Sequence, residues 1–317
     1  MSDETLISQL KHPITGAPAP VVDVREEFAA LSKAHPRDQQ HREAFVASRR
    51  SRIETSDRLT PSEKAAWLAR LRSPIEPPPS TVGIFEYGFS YLNNFNLSYV
   101  NGSAITYQVI CPNTAGGNVA NQLYLTATNR TSLGVEAYVN YFGAGNTGYF
   151  SIYDWNIART DPNGAAFALD IFFLNLGRYF ISLGTHGQTY QTLYVHNATF
   201  QIANSKWTNQ ALLFNALNNS WDLIYSSTYQ ASFADQQSIG AIGWWGPVVE
   251  SHEAVGFVHK GTNTFGFMQS QVSTTDGAGN PVNLILLDPT NSTQLGPGGG
   301  FQQIFLNANY DWAVNSP

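Results

Sequence analysis

Carboxylates are the side chains through which the longer, sparsely charged part of this sequence could do chemistry. Glu136 stands in GVEAYVNYF (134–142), a run in which no other residue is charged. Apolar and aromatic residues alternate there as in a half-buried strand, where a lone carboxylate is costly unless it is paired, hydrogen-bonded or used. Glu86 in IFEYGF, and Glu250 with Glu253 in WWGPVVESHE, are the other glutamates in strand-like contexts. In an ideal strand Glu136, Tyr138 and Asn140 share one face, as do Val248, Glu250 and His252. Two carboxylates that meet on one sheet cannot both stay ionised. Such a pair supplies a base for a water and an acid for a leaving group. The expected pair is Glu136 and Glu250, with Glu253 as the alternative second member. Tyr138, Asn140, Trp244 and His252 are the candidates for orienting a substrate or stabilising an oxyanion. Each glutamate also has a purely structural use, capping a turn or facing solvent.

Other chemistries find less support. His186, His196, His252 and His259 are scattered and no HExxH is present, so no metal site and no cofactor are expected. Cys111 is the single cysteine, which excludes an intrachain disulfide and a cysteine-built metal site. There is no G-x-S-x-G nucleophile elbow. GPGGG (296–300) lacks the Lys-Ser/Thr of a phosphate-binding loop. A formal charge of −6 argues against nucleic acid as a partner. No run of 18 apolar residues exists, so no membrane span is expected. The first residues, MSDETLISQLKHP, lack the apolar centre of a secretory signal. The amide- and hydroxyl-rich remainder, with N-x-S/T sequons at Asn96, Asn101, Asn129, Asn197, Asn218 and Asn291, suggests an exported protein. The oligomeric state is left open.

The elements that must position these residues fall into two unlike parts. Residues 1–80 hold 12 of the 17 Lys and Arg, and 11 of the 23 acidic residues. The break lies at SPIEPPPSTVG (73–83), where four prolines enforce an extended linker. Before it the periodicity is helical. DVREEFAALSKA (23–34) places Val24, Phe28 and Leu31 on one stripe, and Thr60, Pro61 and Glu63 open a second helix through Trp67, Leu68 and Leu71. This segment is expected either to brace the main domain or to act as a pro-segment that covers a site until removed. After the break the period changes to two. Strand-like runs lie at 103–110, 121–128, 133–142, 148–155, 168–176, 191–202, 220–227, 240–251, 254–259 and 282–287. Polar turns separate them and no fixed repeat is present. The expected fold is all-β, an antiparallel β-sandwich or jelly roll of the concanavalin-like kind over 81–317, with a helical N-terminal extension over 1–80.

GVEAYVNYFGAGNTGYFSIYDW resembles the segment of neprosin-type glutamic peptidases in which an IEAGW strand carries the first catalytic glutamate. SWDLIYSS and IGAIGWWGPVVES are similar to the tryptophan-rich strands before that family's second glutamate, and to the W-x-V-E stretch of the fungal eqolisins. The likeness covers roughly residues 130–255. It implies two antiparallel sheets, an acid-active endopeptidase cutting a polypeptide substrate, and two catalytic glutamates. Glu136 matches the first; Glu250 is the nearest match to the second, two positions from the family's placement. The cysteine pairs of plant neprosins are missing. Two other readings use the same residues. One is a jelly-roll glycoside hydrolase with two glutamates and with Tyr138, Tyr141, Trp155 and Trp244 as sugar platforms; the other is a non-enzymatic glycan-binding or structural sandwich.

Overall fold

The computed structural model describes residues 10–34, 54, 60–62, 64–65, 87–91, 100–111, 120–129, 133–142, 148–160, 167–185, 188–232, 250–255, 264–275, 281–286, 293–295, 302–308 and 311–315. At 87–91, 100–101, 110–111, 120–124, 140–142, 158–160, 183–185, 188–190 and from residue 250 onward the description is of the backbone alone. The N-terminal part supplies β1 (Val21–Asp23) and α1 (Arg25–Ala34). Residues 61, 62, 64 and 65 are helical, as their capping sequence predicts, and the Lys64 amide donates to the Thr60 carbonyl.

Strands follow: β2 (Tyr87–Tyr91), β3 (Val100–Cys111), β4 (Ala120–Thr128), β5 (Gly134–Phe142), β6 (Gly148–Asp154), β7 (Phe167–Phe172), β8 (Ile181–Thr185) and β9 (Gln188–Ala203). After them come β10 (Lys206–Asn215), β11 (Ser220–Gln230), β12 (Glu250–Val255), β13 (Thr264–Thr275), β14 (Pro281–Leu286), β15 (Thr293–Leu295), β16 (Gln302–Ala308) and β17 (Asp311–Asn315). A short helix, α2 (Trp155–Thr160), and a 3-10 helix (Phe173–Tyr179) interrupt the run. The predicted strand over 148–155 therefore stops one residue early. Asp154 accepts hydrogen bonds from the amides of Asn156 and Ile157, capping α2 and turning the chain.

The described strands form two sheets. One has ten strands, in the order β1-β11-β10-β9-β3-β13-β17-β16, with β14 on β13 and β8 on β9. The other has seven, in the order β15-β2-β12-β4-β5-β6-β7. Every pairing is antiparallel except β1 with β11, so the expected all-β sandwich stands. Between the sheets, Val135, Ala137 and Val139 of β5, Leu125 and Ala127 of β4, and Phe150 and Ile152 of β6 meet Ile105, Tyr107, Leu193, Val195, Ala211 and Leu213. The alternation of apolar residues along each strand makes this face, and its burial drives the two sheets together.

The N-terminal helix belongs to the same core. Phe28 is fully buried in it, with Val24 and Leu31 packed against it, as the helical stripe predicts. Burying that phenyl ring contributes about 2–3 kcal/mol.

Candidate active site

Glu136 lies on the face of the seven-stranded sheet turned away from the partner sheet, since its neighbours Val135 and Ala137 both face the core. It is nevertheless only 2% exposed. The Thr126 hydroxyl on β4, directly opposite in register, donates to Glu136 Oε2 at 2.9 Å. Buried carboxylates need such donors, and this one fixes the position of the carboxyl group.

The support continues through the sandwich. Tyr107 Oη of β3 donates to the Thr126 carbonyl at 2.9 Å, Asn197 Nδ2 to the Leu125 carbonyl at 2.7 Å, and Ser103 Oγ to the Thr128 carbonyl at 2.8 Å. Asn209 Nδ2 reaches the Gly134 carbonyl at 3.0 Å. Side chains of the ten-stranded sheet thus hold β4 and the start of β5 in place. Gly134 completes the seat: a Cβ there would lie 1.9 Å from the Ala127 carbonyl oxygen, so any larger residue forces β5 away from β4.

Register defines what shares the face with Glu136. One lateral row runs Tyr153, Glu136, Thr126, Ser251, Ser90 and Thr293 across β6, β5, β4, β12, β2 and β15. The next row on the same face runs Asp170, Ser151, Tyr138, Tyr124, Glu253 and Gly88. Within it Ser151 Oγ donates to Asp170 Oδ1 at 2.6 Å, and both residues are buried. Asn140 and Gln122 belong to a third row of the same parity.

This register separates Glu136 from Glu250. Glu250 stands opposite Ala127 and His252 opposite Leu125, both core-facing positions of β4. Glu250 and His252 therefore take register positions on the other face from Glu136. An even displacement along a single strand preserves parity, but the face is decided by pairing with β4. Glu253, opposite Tyr124 and one row from Glu136, has the matching parity. Tyr138 and Asn140 share parity with Glu136 as expected, while Trp244 lies outside the described residues.

Asp170 is the acidic residue that the sequence reading missed. FALDIF alternates, with Leu169 and Ile171 in the core and Asp170 between them, and that pattern was the available signal. Two sugar-platform candidates are also closed off. Trp155 is 2% exposed and packs edge-on to Tyr153, and Tyr138 is fully buried with its ring 6.1 Å from that of Phe167. Among the sequons, Asn129 and Asn197 are fully buried and donate hydrogen bonds within the sandwich, so neither can carry a glycan in this fold.

Other buried polar groups lie away from Glu136. Asp154 accepts from Tyr225 Oη at 2.7 Å and from Ser227 Oγ. Burial first, then the Asp154 charge, hold the Tyr225 phenol well above its usual range, so it remains a donor. Asp222 accepts from Tyr179, Asn215 and Ser220. His196, on the outer face of the ten-stranded sheet, sits 2.9 Å from Thr106 Oγ1 and edge-on to Trp221, and burial lowers its pKa to about 3. A cleft of about 800 Å³ opens between α1 and the edges of β7 and β11, lined by Asp23, Arg25, Glu27, Ala168, Tyr225 and Ser226. Its Asp23 and Arg25 are paired with each other at 2.6 Å, and Glu136 does not reach it.

No family model matches this chain, and none of the curated proteins does. Among solved structures it is similar to the crystal structure of Scytalido-glutamic peptidase with a peptide-based transition-state analogue. The match has a TM-score of 0.34 and 8% identity over 75% of this chain and 99% of that one. A likeness of that size carries no argument about mechanism.

Proposed function

We propose that the protein is a neprosin-like glutamic peptidase whose catalytic carboxylates are Glu136 and Glu253. The observation that carries the reading is a buried carboxylate on the sheet face opposite the core, seated by a threonine that the other sheet braces. Glu253 supports the reading through its register. Two strand spacings across and two residues along place its Cα about 12 Å from that of Glu136. Two glutamate side chains on one face can close that span around a water and a scissile carbonyl. In this mechanism one carboxylate takes the proton of the attacking water, and the other, protonated, passes its proton to the departing amine. Asn140 holds a register position on the same face, from which it orients the peptide or donates to the oxyanion, while Tyr138, of the same parity, is fully buried and backs the site. Activity at acid pH follows from the need for one protonated carboxylate. Hydrolysis requires that Glu136, 2% exposed here, become accessible to the polypeptide.

The test is hydrolysis of unfolded casein between pH 3 and 7 by the wild-type chain and by Glu136→Gln, Glu253→Gln and Glu250→Gln. Loss in the first two with retention in the third supports the proposal. Full activity in Glu136→Gln ends it, and release of reducing sugar from a glycan with casein intact favours a glycoside hydrolase instead.

A further inference from the structure

We infer that residues 10–34 are a permanent strap of the sandwich, which stays bound when the chain is cut between this segment and the strands. The described part of the N-terminal segment makes three kinds of attachment. Leu10 is buried among Tyr194, Leu212, Phe214, Trp221 and Leu223 on the outer face of the ten-stranded sheet, and Trp221 Nε1 donates to the Lys11 carbonyl at 2.9 Å. β1 then pairs in parallel with β11 over Val21–Asp23, flanked by backbone hydrogen bonds from Trp221 to Pro20 and from Val24 to Leu223. This covers an edge strand that would otherwise present a row of unpaired amides and carbonyls. Finally α1 crosses to β7. Phe28 enters the inter-sheet core beside Tyr179, the Asp170 amide donates to Ser32 Oγ at 3.1 Å, and Arg178 pairs with Glu27 at 2.9 Å.

A segment that must leave to expose a site cannot also supply a fully buried ring of the core, because its departure opens a cavity between the sheets. None of these contacts lies on the row of Glu136. A cut within 73–83 therefore yields a two-piece protein that keeps its strap. The inference concerns retention alone and does not rest on the peptidase reading.

The experiment places a site-specific protease sequence within 73–83 of the full chain and cuts it in native buffer. The expected result is that both pieces co-elute on gel filtration and separate only in denaturant, with a thermal midpoint close to that of the uncut chain. Release of the N-terminal piece, whether the remainder stays soluble or precipitates, overturns the inference. In the uncut chain Phe28→Ala should lower the midpoint by on the order of 10 °C, and Phe28→Leu by less. An unchanged midpoint in both variants overturns it as well.

Discussion

Acidification loads a proton onto the unfolded chain at His196 long before the folded protein accepts one there. The imidazole is buried among Thr106, Leu212 and Trp221, and burial lowers its pKa from the ordinary 6.5 to about 3. Because the folded pKa is the lower one, the neutral form is the native form. Stability is complete above pH 6.5 and is lost as pH falls toward 3. At 1.36 kcal/mol per pKa unit, the loss between pH 7 and pH 4.5 is about 2.5 kcal/mol from this one side chain. That is a substantial share of the roughly 5–15 kcal/mol that holds a folded domain together. The perturbation is His196→Gln, which keeps a polar group beside Thr106 and cannot ionise. The assay is guanidinium unfolding of both proteins at pH 7 and pH 4.5, read by tryptophan fluorescence. The variant should lose about 2.5 kcal/mol less than wild type over that interval. Equal losses would refute the reasoning, as would an NMR titration placing the His196 pKa near 6.5. The prediction bears on the proposed activity too, since a peptidase working below pH 5 would carry this penalty through every turnover.

Three further outcomes follow from the site. Thr126→Val removes the hydroxyl that seats Glu136 and should lower casein hydrolysis about tenfold, the rate equivalent of one lost hydrogen bond of roughly 1.4 kcal/mol, with circular dichroism unchanged. Gly134→Ala should destabilise the fold by about 3 kcal/mol or more, measured by denaturant unfolding, because the new methyl group meets the Ala127 carbonyl. Tyr225→Phe should cost about 1–2 kcal/mol in the same assay, by stripping a donor from Asp154, and should leave hydrolysis intact.

Local pattern marks β3 to β7, β9, β11 and β14, whereas β1, β2, β8, β10, β13 and β15 to β17 lie outside the expected runs and the run over 168–176 gives way to the 3-10 helix after Phe172. Lys206–Asn215 lies outside the expected strands, and Thr208, Asn209 and Gln210 break its alternation; in the fold all three are buried, and β10 is an interior strand of the larger sheet. Asn209 is satisfied by reaching Gly134 on the opposite sheet, a contact 75 positions away in the chain. The parallel pairing of β1 with β11 joins residues 200 positions apart, beyond any local signal.

The amino-acid order alone determined the period-two strands, the amphipathic helix carrying Phe28, and the unusual cost of a glutamate at position 136, because each depends on neighbours within a few residues. Which of Glu250 and Glu253 shares a face with Glu136 was decided by the pairing of β12 with β4, since the face a strand residue occupies is set by register to its partner. The place of α1 was likewise decided by packing: a helix with one apolar stripe states that it must be covered, and only the assembled sheets supply the core that covers it.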